Sequence, residues 1–189
     1  MARSRNGNGL RISRLHAAVQ SIVAGWLEAQ GFDASVEEFI GEDLVADVYA
    51  ESPWGSIIVE VETGFIDPKA VATPERYLLA KILVKASRYS RYADAFAVAF
   101  PSFVQVDGAA LQRILSGDLS ILGGGGAWEV IRLVKRPRLG SLLDARVDAI
   151  LSVNVSERIV KTLSLTDRGF RVLGGLCCVE QLPSPLHPI

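Results

Sequence analysis

Cysteine is scarce in this chain. Only Cys177 and Cys178 occur among its 189 residues, and they stand next to each other in an apolar run. Adjacent cysteines offer neither the spacing of a zinc site nor the framework of a disulfide-stapled secreted domain. We therefore expect both thiols to fill core space and the protein to work in a reducing cytoplasm.

The chain also lacks a strong charge imbalance and a long apolar run. Its 20 lysines and arginines nearly balance 21 aspartates and glutamates, which leaves a formal net charge of −1. Overall charge thus neither favours nor excludes a polyanionic partner, so a nucleic-acid site must be a local patch. The polar, basic start lacks the apolar core of a signal peptide, and no run reaches the roughly 18 apolar residues of a membrane span. We expect no membrane partner.

The composition predicts one α/β domain. With 49% hydrophobic and 22% charged residues, the chain can bury one core of ordinary size and is too short for two comfortable domains. We divide it into a flexible arm (residues 1–10), a core (residues 11–136) and a C-terminal extension packed on the same domain (residues 137–189).

The most informative segment is a predicted hairpin over residues 44–62, with Pro53-Trp54-Gly55 as its turn. In its second strand, Ile57, Val59 and Val61 face one way, and Ile58, Glu60 and Glu62 face the other. In its first strand, Leu44, Ala46 and Val48 share one side and Asp47 lies on the opposite side. Paired around the turn, Asp47 can lie near Glu60, and such carboxylates repel unless a cation sits among them. Oxygen ligands of this kind favour Mg²⁺ or Mn²⁺.

Hydrophobic periodicity predicts the elements around this hairpin. A helix over residues 13–30, ended by Gly31, precedes an antiparallel meander of strands over residues 34–40, 44–50 and 56–62. A helix starting at Thr73-Pro74-Glu75 and running to about Tyr92 crosses over to an apolar, parallel strand over residues 93–100. Further along, the pattern predicts a helix (109–115), a flexible four-glycine loop (123–126) and a strand (128–134). It then predicts a helix (142–151), a candidate second helix (155–163) and a strand (171–179).

This order of elements, with Asp47 and Glu60-Val61-Glu62 on the meander, resembles the PD-(D/E)XK nuclease superfamily, especially its archaeal Holliday-junction-resolvase-like branch. The likeness covers roughly residues 10–101. It implies a restriction-endonuclease-like fold, in which a mixed central sheet is flanked by helices, and a Mg²⁺- or Mn²⁺-dependent endonuclease that cuts structured DNA or acts in DNA repair. Asp47 and Glu60 match the two metal-binding acids, and the resemblance makes the carbonyl of Val61 a candidate for a further ligand. Family members that act on two strands suggest a homodimer by analogy.

Two positions depart from the family pattern. Glu62 stands where the family has its lysine, and the first helix offers His16 and Gln20 where resolvase-like members often carry a metal-binding glutamate. Some members supply the lysine from the following helix, where Lys81, Lys85, Arg88 and Tyr92 recur on one face here. Lys81 or Lys85 can therefore take the catalytic role; alternatively, Glu62 is a further metal ligand or a base for the attacking water.

Basic residues beyond the meander are candidates for DNA contacts. Lys85 and Arg88 lie on the crossover helix, and a cluster surrounds Pro137: Arg132, Lys135, Arg136 and Arg138. Phosphate contact is one interpretation; an exposed helix stripe and a solvated strand end are the ordinary alternatives.

Plainer hypotheses remain for the acids and for the whole protein. The acids can form a solvated strand face, and His16 reads as a surface or half-buried helix residue rather than a ligand. Glu62 at the lysine position suggests a catalytically silent module that binds nucleic acid or serves in assembly. In an unrelated α/β protein the acids would diverge, whereas one cation requires the carboxylates of Asp47 and Glu60 to lie within about 8 Å.

Overall fold

The computed structural model describes residues 13–41, 44–64, 74–122 and 145–173. Within these ranges the elements are, in chain order, α1 (Arg14–Ala29), β1 (Asp33–Gly41), β2 (Leu44–Ser52), β3 (Gly55–Val61), α2 (Pro74–Tyr89), β4 (Ala95–Pro101), α3 (Gly108–Leu115), a 3₁₀ helix (Leu119–Leu122), β5 (Ala149–Asn154), β6 (Ile159–Ser164) and α4 (Asp167–Val172). The arm, the four-glycine loop, the strand predicted over residues 128–134 and both cysteines lie outside the described residues.

The six strands form one mixed sheet in the order β1-β2-β3-β4-β5-β6. The first three make the predicted antiparallel meander. The chain then crosses over through α2, and β4 pairs parallel to β3. Every residue of β4 is buried, as expected for a central strand covered on both faces. On its other side β4 pairs parallel to β5, and β6 closes the sheet antiparallel to β5.

Helices cover both faces of this sheet. Ile57, Val59 and Val61 of β3 belong to the buried cluster that includes α1 and α4. Ile58 belongs to the opposite cluster, with α2, α3 and the 3₁₀ helix. The period of two predicted for β3 is therefore confirmed, and the face that carries Glu60 and Glu62 is the one turned toward α2.

Local signals placed the first elements correctly. The Ser13 hydroxyl caps α1 by accepting the His16 backbone N–H at 3.1 Å, and Gly31 follows the helix with a φ of +88°, as predicted for a glycine at the C′ position. The helix α2 ends at Tyr89, so the prediction that it reaches Tyr92 was slightly long.

The predictions for the C-terminal part were wrong in the residues that the structure describes. The helix predicted over residues 142–151 overlaps β5, where Ala149, Leu151 and Val153 alternate inward. The helix predicted over residues 155–163 is a turn, with Arg158 at a φ of +56°, followed by β6. The strand predicted from Arg171 begins inside α4, and its remainder from residue 174 lies outside the described ranges. Short apolar runs do not distinguish strand from helix by periodicity alone; here pairing with β4 decides.

In the parts of the chain that the structure describes, no helix combines the length and apolarity needed to cross a membrane.

A Gly169→Ala substitution tests the seating of α4 on the sheet. A Cβ at this position would lie 2.2 Å from the Asp148 carbonyl oxygen, a backbone atom that cannot withdraw, so we expect a loss of at least about 2 kcal/mol in the free energy of unfolding. Urea denaturation measures it.

The matched control is Gly25→Ala, on the exposed side of α1, where an added Cβ meets nothing within 4 Å. Alanine favours a helix interior over glycine, so this variant should gain about 0.5–1 kcal/mol. Equal stability of the two variants would contradict the tight contact between α4 and β5.

Candidate active site

The candidate site lies where β2 and β3 separate. Their pairing runs from Ser52 and Gly55 to Val48 and Val59. Beyond it, the Asp47 backbone N–H donates to Glu60 Oε1 at 3.0 Å, and the Val61 backbone N–H donates to Asp47 Oδ2 at 2.7 Å. Two carboxylates thus take over hydrogen bonds that the other strand's backbone would otherwise make.

The alternation of β2 is interrupted at this point. Ala46 packs in the cluster with α2, whereas Val48 packs in the cluster with α1. The prediction that these two residues share one face was wrong. On β1, Glu37 lies between the pairs Val36–Val48 and Glu38–Ala46 and has a φ of +55°, which is uncommon for a residue with a side chain. The irregular backbone places the Asp47 carboxylate at the gap in the sheet.

Glu60 of β3 and Glu62, the residue directly after its end, project into the interface with α2. They are 3% and 4% exposed, respectively, so the interpretation of a solvated strand face was wrong for both. Burial of a charged carboxylate is costly unless it is paired. Both acids have a cationic partner on α2.

Lys81 and Lys85 are these partners. Lys81 Nζ lies 2.7 Å from Glu62 Oε1. Lys85 Nζ lies 3.1 Å from Glu60 Oε2 and 3.4 Å from Asp47 Oδ2, and it donates to the Val61 carbonyl oxygen at 2.8 Å. Since both carboxylate oxygens contact one nitrogen atom, they are closer together than the sum of those two distances, which is inside the limit of about 8 Å for one cation.

The three groups around Lys85 Nζ are those that the resemblance nominates as metal ligands. Asp47, Glu60 and the Val61 carbonyl offer hard oxygen atoms that converge on one position now held by a cation. This donor chemistry fits Mg²⁺ or Mn²⁺, provided that the ammonium group withdraws.

Two side chains of α1 reach Asp47 from the opposite face of the sheet. His16 Nε2 lies 3.0 Å from Asp47 Oδ1, and the Gln20 amide donates to the same oxygen and to the Asp47 carbonyl, at 3.3 Å each. Half-burial of His16 was predicted correctly, but its contact with Asp47 was not foreseen. The available signal was a polar pair at i, i+4 on a helix whose Gln20 faces the core.

Of the other residues predicted to contact DNA, one is exposed on α2 and the rest lie outside the described residues. The Arg88 side chain is exposed, and its guanidinium carbon lies 5.3 Å from the centre of the Tyr89 ring. The basic cluster around Pro137, with Arg132, Lys135, Arg136 and Arg138, lies outside the described residues.

The environment separates the pKa values of the two acids. Burial and the charge of Asp47 together raise the pKa of Glu60 to about 7, against the attraction of Lys85 and the hydrogen bond from the Asp47 N–H. Burial also opposes ionisation of Asp47, but hydrogen bonding from His16, the charge of Lys85 and the Val61 N–H together lower the pKa of its carboxyl group.

Lys85 remains an ammonium group. Burial lowers its pKa, but the charges of Glu60, Asp47 and Glu62 outweigh that effect, so the net pKa lies above the ordinary lysine value. An ionised aspartate, a glutamate that titrates near neutrality and a lysine that keeps its positive charge, all in one cluster, are typical of sites that move protons or bind ions.

The chain has no significant match among the models of protein families, the curated proteins or the solved structures.

The buried glutamate makes a prediction about stability and pH. Because the folded pKa of Glu60 is raised from 4.5 to about 7, the folded state holds this proton more tightly than the unfolded chain does. The resulting stability is fully present below pH 4.5 and is lost as the pH rises through 7, by about 3 kcal/mol in total. Between pH 4.5 and pH 8, the unfolding free energy of the wild type should therefore fall relative to that of Glu60→Gln, as measured by urea denaturation at each pH.

The control is Glu38→Gln, which alters an exposed glutamate of β1 and should follow the wild-type pH profile. A Glu60→Gln profile parallel to wild type over this range would mean that Glu60 is ionised throughout.

Proposed function

We propose that the protein is a metal-dependent endonuclease that hydrolyses phosphodiester bonds of structured DNA, on a variant of the restriction-endonuclease-like fold. The observation that carries the proposal is the convergence of Asp47, Glu60 and the Val61 carbonyl on one cation position, held by the Lys85 ammonium group, with Lys81 one turn away on α2. The antiparallel meander followed by a helical crossover to a parallel strand agrees with the architecture that the resemblance implies.

Asp47, Glu60 and the Val61 carbonyl would hold the divalent cation. When bound, Mg²⁺ or Mn²⁺ supplies charge stabilisation at the phosphate and lowers the pKa of the attacking water. His16 and Gln20 fix Asp47 through Oδ1, which leaves Oδ2 directed toward the cation position. Hydrogen bonds of this kind orient a ligand carboxylate and tune its affinity.

Lys81 takes the part of the family's missing lysine. Its ammonium group donates a hydrogen bond to Glu62 Oε1 at 2.7 Å. Glu62, which stands at the lysine position of the motif, is therefore paired with a lysine of α2. This arrangement favours Glu62 as a residue that orients Lys81, rather than as a further metal ligand or base. A lysine so placed stabilises the charge that develops on the phosphate in the transition state.

The DNA backbone is expected to approach along α2. The exposed Arg88 lies one turn beyond Lys85 on that helix, and lysine and arginine contacts to phosphate supply most non-specific affinity for DNA. The basic cluster around Pro137 and a homodimer that presents two sites to two strands are further parts of this proposal.

A second candidate function is a silent module that binds nucleic acid without cutting it. The observation in its favour is that Lys85 already satisfies the three oxygen ligands with an internal cation. Such a cluster needs no metal, and it would hold β2, β3 and α2 together as a structural ion-pair network.

Cutting of labelled branched, duplex and single-stranded DNA in Mg²⁺, Mn²⁺ or EDTA separates these functions. We expect metal-dependent cleavage that falls at least about a hundredfold in Asp47→Asn, because a ligand charge is lost. Lys81→Ala should lower the cleavage rate by about ten- to a hundredfold, because stabilisation of the transition state is lost.

Matched controls are Asp33→Asn and Lys161→Ala, which alter exposed residues of β1 and β6 and should keep wild-type activity. Binding of every substrate without cleavage would favour the silent module. Cleavage unaffected by Asp47→Asn would rule out the proposed site.

A further inference from the structure

The Lys85 ammonium group occupies the position that the proposed function gives to a metal ion. Its Nζ lies 2.8 Å from the Val61 carbonyl oxygen, 3.1 Å from Glu60 Oε2 and 3.4 Å from Asp47 Oδ2. A divalent cation bound to the same three oxygens would stand within contact distance of this positive charge, and the two would repel strongly in a partly buried site. One cation must leave before the other binds.

The charges favour a divalent occupant. When ionised, Asp47 and Glu60 carry two negative charges, and one ammonium group neutralises only one of them. A divalent ion neutralises both, and carboxylate and carbonyl oxygens suit Mg²⁺ or Mn²⁺.

The side chain of Lys85 is partly open to solvent, whereas that of Glu60 is not. It is 23% exposed, against 4% for the Glu60 side chain. Its flexible four-carbon stem lets the ammonium group swing to solvent without displacement of α2, while the Val61 carbonyl is fixed in the sheet.

We propose that Lys85 is an internal counter-ion that holds the cation position in the resting protein and that a divalent metal ion displaces toward solvent. The inference rests on the proposed function and adds to it that metal loading requires one named side chain to move. The displaced ammonium group is then available to a phosphate of the substrate. Metal affinity in the resting protein is consequently reduced by the competition with Lys85.

Titration calorimetry with MgCl₂ and MnCl₂ on the full chain tests the competition. Lys85→Met keeps the apolar stem and removes the competing charge, so it should bind metal at least about tenfold more tightly than wild type. Lys161→Met is the matched control: it removes the charge of an exposed lysine on β6, outside the cluster, so its affinity should stay near wild type. Asp47→Asn added to Lys85→Met should abolish the gain.

Equal affinities of wild type and Lys85→Met, or an equal gain in both lysine variants, would overturn the proposal, because the latter is a general effect of charge. Absence of metal binding in both wild type and Lys85→Met would overturn it as well.

A second measurement needs no variant. The rate at which an amine-acetylating reagent modifies each lysine of the wild-type protein is followed by mass spectrometry, with and without Mg²⁺. Displacement predicts faster acetylation of Lys85 in Mg²⁺ and an unchanged rate at Lys81. Metal binding with Lys85 still protected would refute displacement.

These readouts separate the inference from the proposed function. Exchange of Lys85 for metal in a protein that cuts no DNA would refute the nuclease and leave the exchange standing. Metal-dependent cutting with Lys85 acetylation unchanged would refute the exchange alone.

Discussion

Pairing of buried carboxylates on β3 with lysines on α2 is the interaction on which the centre of this structure depends. Glu60 and Glu62 are nearly inaccessible, and an unpaired charge in that position would be prohibitively costly. Lys81 and Lys85 lie one turn apart on α2, and the two acids lie two residues apart at the end of β3. The helix can satisfy both only in one register along the strand, so charge pairing fixes how α2 lies on the sheet.

Such a cluster is an inefficient way to stabilise a fold. Buried ion pairs often contribute less than well-packed apolar residues of the same volume, and the surrounding layers already bury Ile58, Phe96 and Val98 completely. Apolar packing therefore accounts for the stability of the sheet, while the ionic cluster is a costly insertion. Several groups with perturbed pKa values lie together in this cluster. Such grouping is typical of sites that bind ions or transfer protons, and it agrees with the function proposed above.

At the gap between β2 and β3, one side chain contacts helices on both faces of the sheet. Asp47 Oδ1 is held by His16 and Gln20 of α1, and Oδ2 by the Val61 N–H and Lys85 of α2. A regular strand would have turned this carboxylate to one face only. Because regular pairing with β3 stops at Val48, the preceding residue, Asp47, can contact helices on opposite faces of the sheet.

The sequence by itself determined which residues share a face: the two acids on β3 through a period of two, and the two lysines on α2 through a spacing of four. It also located α1, the meander and the crossover, because caps, turns and periodicity act within a few residues. Tertiary structure decided which lysine pairs with which acid and placed His16 and Gln20 in contact with Asp47. It also interrupted the alternation of β2 and made β5 and β6 strands instead of helices. These outcomes depend on pairing and burial between segments distant in the chain, which no local pattern encodes.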